Sequence, residues 1–353
     1  MAIPLTSRER VLRALRHEEP DLVPVCLAYE TPEGLARRYG QPYNPQLMRQ
    51  DVYAVGLQSP PPNPRLRAYL PHVPDIATID CWGVARWPSS TGQTYEVVGA
   101  LEHLERPDEL SDFPFPDVAN DDAANGLAER VRTFHQQGLA VQGAMSQTIW
   151  ELAWQMRGME RLMTDLYECP AFVERLFAEI AQRKMAMAER FVLAGVDILR
   201  LGDDVGTQRG MMISPQVWRR FLKPPLAQII AAARQLRPDL PIFYHSDGDV
   251  RAIIDDLIEI GVTILNPVQP ECMDPLAIKR RYGDRLTLWG TLGTQTTLPF
   301  GTPAEVERIV RQLIEDLAPG GGYVIGPTHS VNADVSWENV CAFYEAVDRY
   351  GRY

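Results

Sequence analysis

Pro241-Ile242-Phe243-Tyr244-His245-Ser246-Asp247-Gly248 is a short apolar run that stops abruptly on polar residues and a glycine. Val250, Ile253, Ile254, Leu257 and Ile258 follow at helical spacing, and then comes a second apolar run, Val262–Asn266. Strand, helix and strand in that order form a parallel pair with the helix crossing one face. The unit repeats on both sides. Strands are expected at Ala140–Ser146, Val196–Leu201, Leu286–Trp289 and Tyr323–Ile325. Another helix is marked by Val306, Ile309, Val310, Leu313, Ile314 and Leu317. Helix starts are signalled by Thr302-Pro303-Ala304-Glu305, by Ser214-Pro215 and by Thr6 with Glu9 three residues on. The stretch Thr148–Tyr167, with Trp150, Trp154 and Met156, reads as one long core helix.

Two earlier runs, Val23–Leu27 and Ile76–Ile79, bring the strands to about eight, the number of a (β/α)8 TIM-type barrel. The expectation is an α/β fold in one domain over residues 1–353. An irregular N-terminal elaboration with the first strands fills 1–138, and regular β/α repeats fill 139–353. An open doubly wound sheet is the alternative, but no GxGxxG follows any strand.

Of the 353 residues, 45% are hydrophobic and 23% charged, the mixture of a globular chain rather than a disordered or fibrous one. The net charge of −11, without a basic run, argues against nucleic acid as a partner. No apolar stretch reaches the length of a membrane span, and the N-terminus carries no apolar signal region. Five cysteines, Cys26, Cys81, Cys169, Cys272 and Cys341, are scattered and never spaced as CxxC. That usage fits a reducing compartment, so a cytoplasmic location is expected.

In a barrel the chemistry sits where strands end, and four strand ends are unusual. His245 and Asp247 are two apart on an extended segment and therefore share a face. Capping of the strand and of the next helix is the plain alternative. His329 follows Tyr323–Ile325, which puts two of the six histidines at strand termini and favours a metal. Cys272 lies in the loop after Val262–Asn266, as a ligand, a nucleophile or an inert thiol. Asp203 and Asp204 end Val196–Leu201 and are candidates for positioning substrate or moving a proton, unless they brace the loop. Glu30 after Tyr29, and Trp82 after Asp80-Cys81, are candidates for lining a pocket, as are Tyr244 and Gln295.

Taken together, Thr6–Leu15, Pro20–Val25, Gly202-Asp203-Asp204, Tyr244–Gly248, Asn266-Pro267-Val268-Gln269 and Gly290–Gln295 resemble the uroporphyrinogen decarboxylase superfamily. Gly320-Gly321-Gly322-Tyr323 and Trp337-Glu338-Asn339 extend the likeness over nearly the whole chain. It implies one barrel domain with an N-terminal elaboration. True decarboxylases of that superfamily carry an arginine-glutamine-alanine-glycine-arginine stretch after the first strand. Here the region reads Cys26-Leu27-Ala28-Tyr29-Glu30-Thr31-Pro32-Glu33, without arginine and with acids that repel a polycarboxylate.

The other branch comprises methyltransferases paired with corrinoid proteins, which bind zinc through His-x-Cys and a distant Cys. Similarity to that branch places His245 at the histidine, Asp247 at the first cysteine and His329 near the second. Cys272 or water would complete the site. Two imidazoles and a carboxylate leave a divalent ion, zinc by resemblance, with net positive charge. Such an ion is a stronger Lewis acid toward oxygen or nitrogen than one held by two thiolates.

The resemblance thus implies a metal-dependent methyltransferase or demethylase acting on a small methylated or thiol substrate. No Asp-x-His-x-x-Gly stretch that would ligate cobalt is present, so cobalamin would arrive on a partner corrinoid protein. The alternatives are a metal-free decarboxylase or lyase using Asp203 or Asp204, and a non-catalytic small-molecule-binding relative. Homo-oligomerisation is left open.

Overall fold

The computed structural model describes residues 4–27, 29–89 and 94–353. Its strands are β1 (Val52–Val55), β2 (Thr78–Ile79), β3 (Val84–Pro88), β4 (Tyr95–Gly99), β5 (Ala140–Ser146) and β6 (Ile198–Gly202). They continue as β7 (Gly206–Thr207), β8 (Gly210–Met211), β9 (Ile242–His245), β10 (Ile264–Asn266), β11 (Thr287–Trp289) and β12 (Tyr323–Val324). Seven of these form one sheet in the order β1-β5-β6-β9-β10-β11-β12, every pair parallel.

The segment 23–27 closes the gap between the two edges. Cys26 N–H donates to Ile325 O, Ile325 N–H donates to Pro24 O, and Asp51 N–H donates to Val25 O. Each of these eight staves sends one side chain into a shared interior layer: Cys26, Val52, Ala140, Ile198, Phe243, Ile264, Trp289 and Val324. Val11, from the helix Ser7–Leu15, completes the layer. The expected α/β barrel is the observed architecture.

Two expectations need correction. Ile76–Ile79 supplies no barrel stave; Thr78–Ile79 belongs to a small antiparallel sheet, β2-β3-β4, in the N-terminal elaboration. The second stave is instead Val52–Val55, whose four residues carry too short a pattern to stand out. Thr148–Tyr167 is not one helix either. Gly158, at φ 83°, breaks it into Trp150–Arg157 and Met159–Glu168.

Period-two alternation sorts the strand residues. On β9, Phe243 and His245 face the interior, while Tyr244 packs outward among the helices. Ile198 of β6 and Ile264 of β10 also face inward, so Arg200 and Asn266, two residues further along, rise above that layer. At the opposite end the buried carboxylate of Asp51 gathers the chain. It accepts from Ser7 Oγ at 2.5 Å, Arg10 Nη1 at 3.0 Å, Arg49 Nε at 2.9 Å and Val25 N–H at 2.8 Å. Among the described residues, no helix is long and apolar enough to cross a membrane.

Candidate metal centre

His245 ends β9 with its ring fixed from behind. Asn266, the last residue of β10, donates its Nδ2–H to Trp289 O at 2.9 Å, which turns its Oδ1 toward the imidazole. His245 Nδ1 lies 2.7 Å from that oxygen and is therefore the protonated nitrogen. Nε2 is left with its lone pair directed into the barrel mouth. There Tyr29 OH stands 3.0 Å away and donates to it.

The same lone pair has Asp204 Oδ1 at 3.6 Å and Asp247 Oδ1 at 3.9 Å. His329, in the loop after β12, packs its ring 4.7 Å from Tyr29 and 6.3 Å from His245, centroid to centroid. Donor atoms of His245, Asp247 and His329 all fall within 4.8 Å of one another. Tetrahedral coordination at about 2.0–2.2 Å spaces donors about 3.3–3.6 Å apart, so small side-chain rotations suffice. Asp247 Oδ1 is moreover buried without a hydrogen-bond partner, an orphaned acceptor beside an imidazole lone pair. Two nitrogens and one oxygen of this kind suit a zinc-like divalent ion.

Burial governs the titration of the cluster. It pushes His245 down to about 4, assisted by the nearby Arg200 guanidinium, and lowers His329 as well. Both imidazoles are thus neutral, the form that ligates a metal. Burial, with the Asp204 carboxylate second, pushes Asp247 up to about 7. Its proton must leave before the oxygen can hold a cation. Zinc affinity is therefore expected to fall about tenfold for each pH unit below neutrality, one proton being displaced per ion. Competition with a chromophoric chelator across pH measures this; Asp247→Asn should flatten the profile, and a flat wild-type profile would count against Asp247 as a ligand.

A cavity of about 190 Å³ opens here, lined by Tyr29, Ser146, Gln147, Glu151, Gly202, Asp204, His245 and His329. Gln147 holds a left-handed backbone at φ 55°, strain of the sort that collects at working sites. Glu151 opens the helix Trp150–Arg157 and holds Asp204 N–H on its Oε2 at 3.2 Å. Burial, followed by the Asp203 and Asp204 carboxylates, pushes its carboxyl up to about 8.

The structure brings together His245, Asp247, His329 and Asp204. The other sequence candidates lie elsewhere. Asp203 points the opposite way from Asp204 and caps the Trp150–Arg157 helix, accepting from Ile149 N–H at 2.9 Å and Glu151 N–H at 3.0 Å. Tyr244 is buried in the helix layer and touches neither wall of the mouth. Cys272 turns its thiol toward Gln269 O at 3.6 Å and is outside the ligand group; burial pushes it up to about 11, so it is protonated. Trp82 is a buried platform 5.8 Å beneath the Lys184 ammonium. Gln295 is exposed, with its backbone N–H on Glu271. Glu30 is held by Arg38 at 2.8 Å and lines a neighbouring cavity rather than this one.

Sequence reading missed Glu151, Arg200 and the positioning role of Asn266. Arg200 carried a signal, a lone cation on the inward face of an otherwise apolar strand. Glu151 carried a weaker one, an acid at the helix start that follows β5.

A family model described as uroporphyrinogen decarboxylase (URO-D) matches residues 100–350. A uroporphyrinogen decarboxylase of Thioalkalivibrio sulfidiphilus is 23% identical, with 98% of each chain covered. The Salinibacter ruber protein of the same name is also 23% identical, covering 100% of this chain and 98% of its own. Among solved structures, a methyltransferase from Methanosarcina mazei superposes with a TM-score of 0.70 at 19% identity, over 98% of this chain and 99% of the other.

Proposed function

Because the chain belongs to the uroporphyrinogen decarboxylase (URO-D) family, an enzyme family, we propose that it is a metal-dependent methyltransferase that cleaves a methyl–heteroatom bond. The observation that carries this reading is the convergence of His245, Asp247 and His329, with Asp247 Oδ1 orphaned beside the His245 lone pair. These three residues would hold a divalent ion, zinc being the best match, which when bound would supply Lewis-acid polarisation of the heteroatom that bears the methyl group.

The chain's own residues do the rest. Asn266 keeps the proton on His245 Nδ1, so Nε2 always faces the ligand position. Asp204 Oδ1 accepts the Asp247 N–H at 2.8 Å and fixes the loop that presents the Asp247 carboxylate. Glu151 carries a proton at neutral pH and stands in the cavity, where it can protonate the heteroatom that loses its methyl group. The methyl acceptor in this reading is a thiol or a corrinoid carried by a partner protein.

Asp203 weakens the alternative of a metal-free decarboxylase, since its oxygens are occupied by backbone N–H groups. Metal analysis of the purified protein, combined with methyl-transfer assays before and after exhaustive chelation, tests the proposal. Stoichiometric metal and loss of turnover on chelation are expected; turnover that survives chelation overturns it. Glu151→Gln is expected to lower kcat by about 10²–10⁴-fold with metal content unchanged. In the wild type, activity should decline above about pH 8, where Glu151 loses its proton.

A further inference from the structure

Past Tyr29 and Ser146 the barrel mouth continues into a second cavity of about 310 Å³. Leu27, Val52, Ala54 and Ala144 give it apolar walls. Gln50 is committed to the backbone, accepting from Leu27 N–H at 2.8 Å and donating to Val52 O at 3.1 Å. Glu30 is held by Arg38.

Arg200 is a guanidinium inside a barrel, 4% exposed, lying 4.8 Å from the Tyr29 ring and 5.3 Å from that of Phe243. Among the described residues lining the two cavities it is the sole Lys or Arg. On the neighbouring strand, Gln142 is 3% exposed and its amide oxygen has no hydrogen-bond partner. A buried cation and an orphaned amide facing one cavity suit an anionic oxygen ligand. A carboxylate would take charge-assisted N–H bonds from Arg200 and, with the Gln142 amide rotated by half a turn, an N–H from Gln142.

In the metal-free protein the first cavity has the opposite sign, with the Asp204 carboxylate in its wall and Asp247 beside it. An anionic group is therefore accepted at one end of the mouth and rejected at the other. Tyr29 separates the ends by about the width of one ring, since it touches the Arg200 guanidinium at 4.8 Å and His329 at 4.7 Å. We propose that Arg200 and Gln142 form a carboxylate subsite: the substrate is a small acid with an apolar body, its carboxylate in the second cavity and its methylated heteroatom at His245 and His329. Only the placement of the methylated end rests on the methyl-transfer reading; the carboxylate end stands on the second cavity alone.

Calorimetric titration of metal-free protein separates the two. The probes are 4-methoxybenzoate and methoxyacetate, each paired with its uncharged counterpart, anisole and 2-methoxyethanol. At least one acid is expected to bind about tenfold or more tightly than its neutral partner, the scale of one charge-assisted hydrogen bond. Arg200→Gln should erase that preference, and Arg200→Lys should restore part of it. If Arg200→Gln does not fold, the wild-type acid–neutral comparison decides by itself. Equal affinity within both pairs, or no binding by either acid, overturns the subsite. An acid preference in a protein that takes up no metal upholds the subsite while removing the methyl-transfer reading.

Discussion

His245→Ala is expected to weaken divalent-ion binding by more than about 100-fold and to abolish methyl transfer. Residues that merely orient a metal ligand typically cost 10–100-fold when replaced, and in the proposed centre His245 is the ligand itself, the one most firmly set by its surroundings. Its Nδ1 is bound to Asn266 at 2.7 Å, its side chain is 9% exposed, and its Nε2 faces both nearby carboxylates. Asn266→Ala should show the smaller loss of about 10–100-fold, because the ring can then rotate and exchange its tautomer. Cys272→Ser should bind metal as the wild type does. Equilibrium dialysis against zinc followed by elemental analysis reads all three. Metal retained at full stoichiometry by His245→Ala would remove the centre, and with it the proposed chemistry.

The second large effect concerns stability. Asp51→Ala is expected to lower the free energy of unfolding by about 3–5 kcal/mol, the usual consequence of removing one partner from a buried ion pair. The Asp51 carboxylate is fully buried, and its loss strips partners from Arg10, Arg49, Ser7 and the Val25 N–H together. These bonds tie the segment 23–27 and the helix Ser7–Leu15 to β1, so the closure of the barrel weakens at its seam. Glu33→Ala, which breaks only the exposed pair with Arg37, serves as the comparison and should cost under about 1 kcal/mol. Urea titration of both variants gives the measurement. A loss at Asp51 no larger than at Glu33 would show that the seam does not depend on this carboxylate.

The barrel was legible from residue 139 onward because parallel strands buried on both faces read as unbroken apolar runs, with capped amphipathic helices between them. The N-terminal third was legible only in part: the helix start at Thr6 and the stave Val23–Leu27 were, the second stave was not. Val52–Val55 and the run at 76–79 have the same apolar texture, and what separates stave from ribbon is pairing with distant strands, which no local pattern records. At the site, strand-end position identified His245, Asp247 and His329 as neighbours in waiting. Adjacent residues were harder: Asp203 and Asp204 look equivalent in sequence, yet one caps a helix and the other faces the cavity, because consecutive side chains point apart. Cys272 has the right strand-end location but the wrong direction, a property of loop conformation alone.

One apolar layer, from Cys26 through Val324, lies across the barrel between the Asp51 anchor and the ligand cluster. Folding strength and reactivity are thereby assigned to opposite ends of the same staves, insulated by hydrocarbon. Positions 204, 247 and 329 should therefore accept randomisation with most library members still folded. With the proposed centre, the protein is on that account a receptive starting point for tuning which ion it takes, for instance by placing sulfur at 247 to favour softer ions.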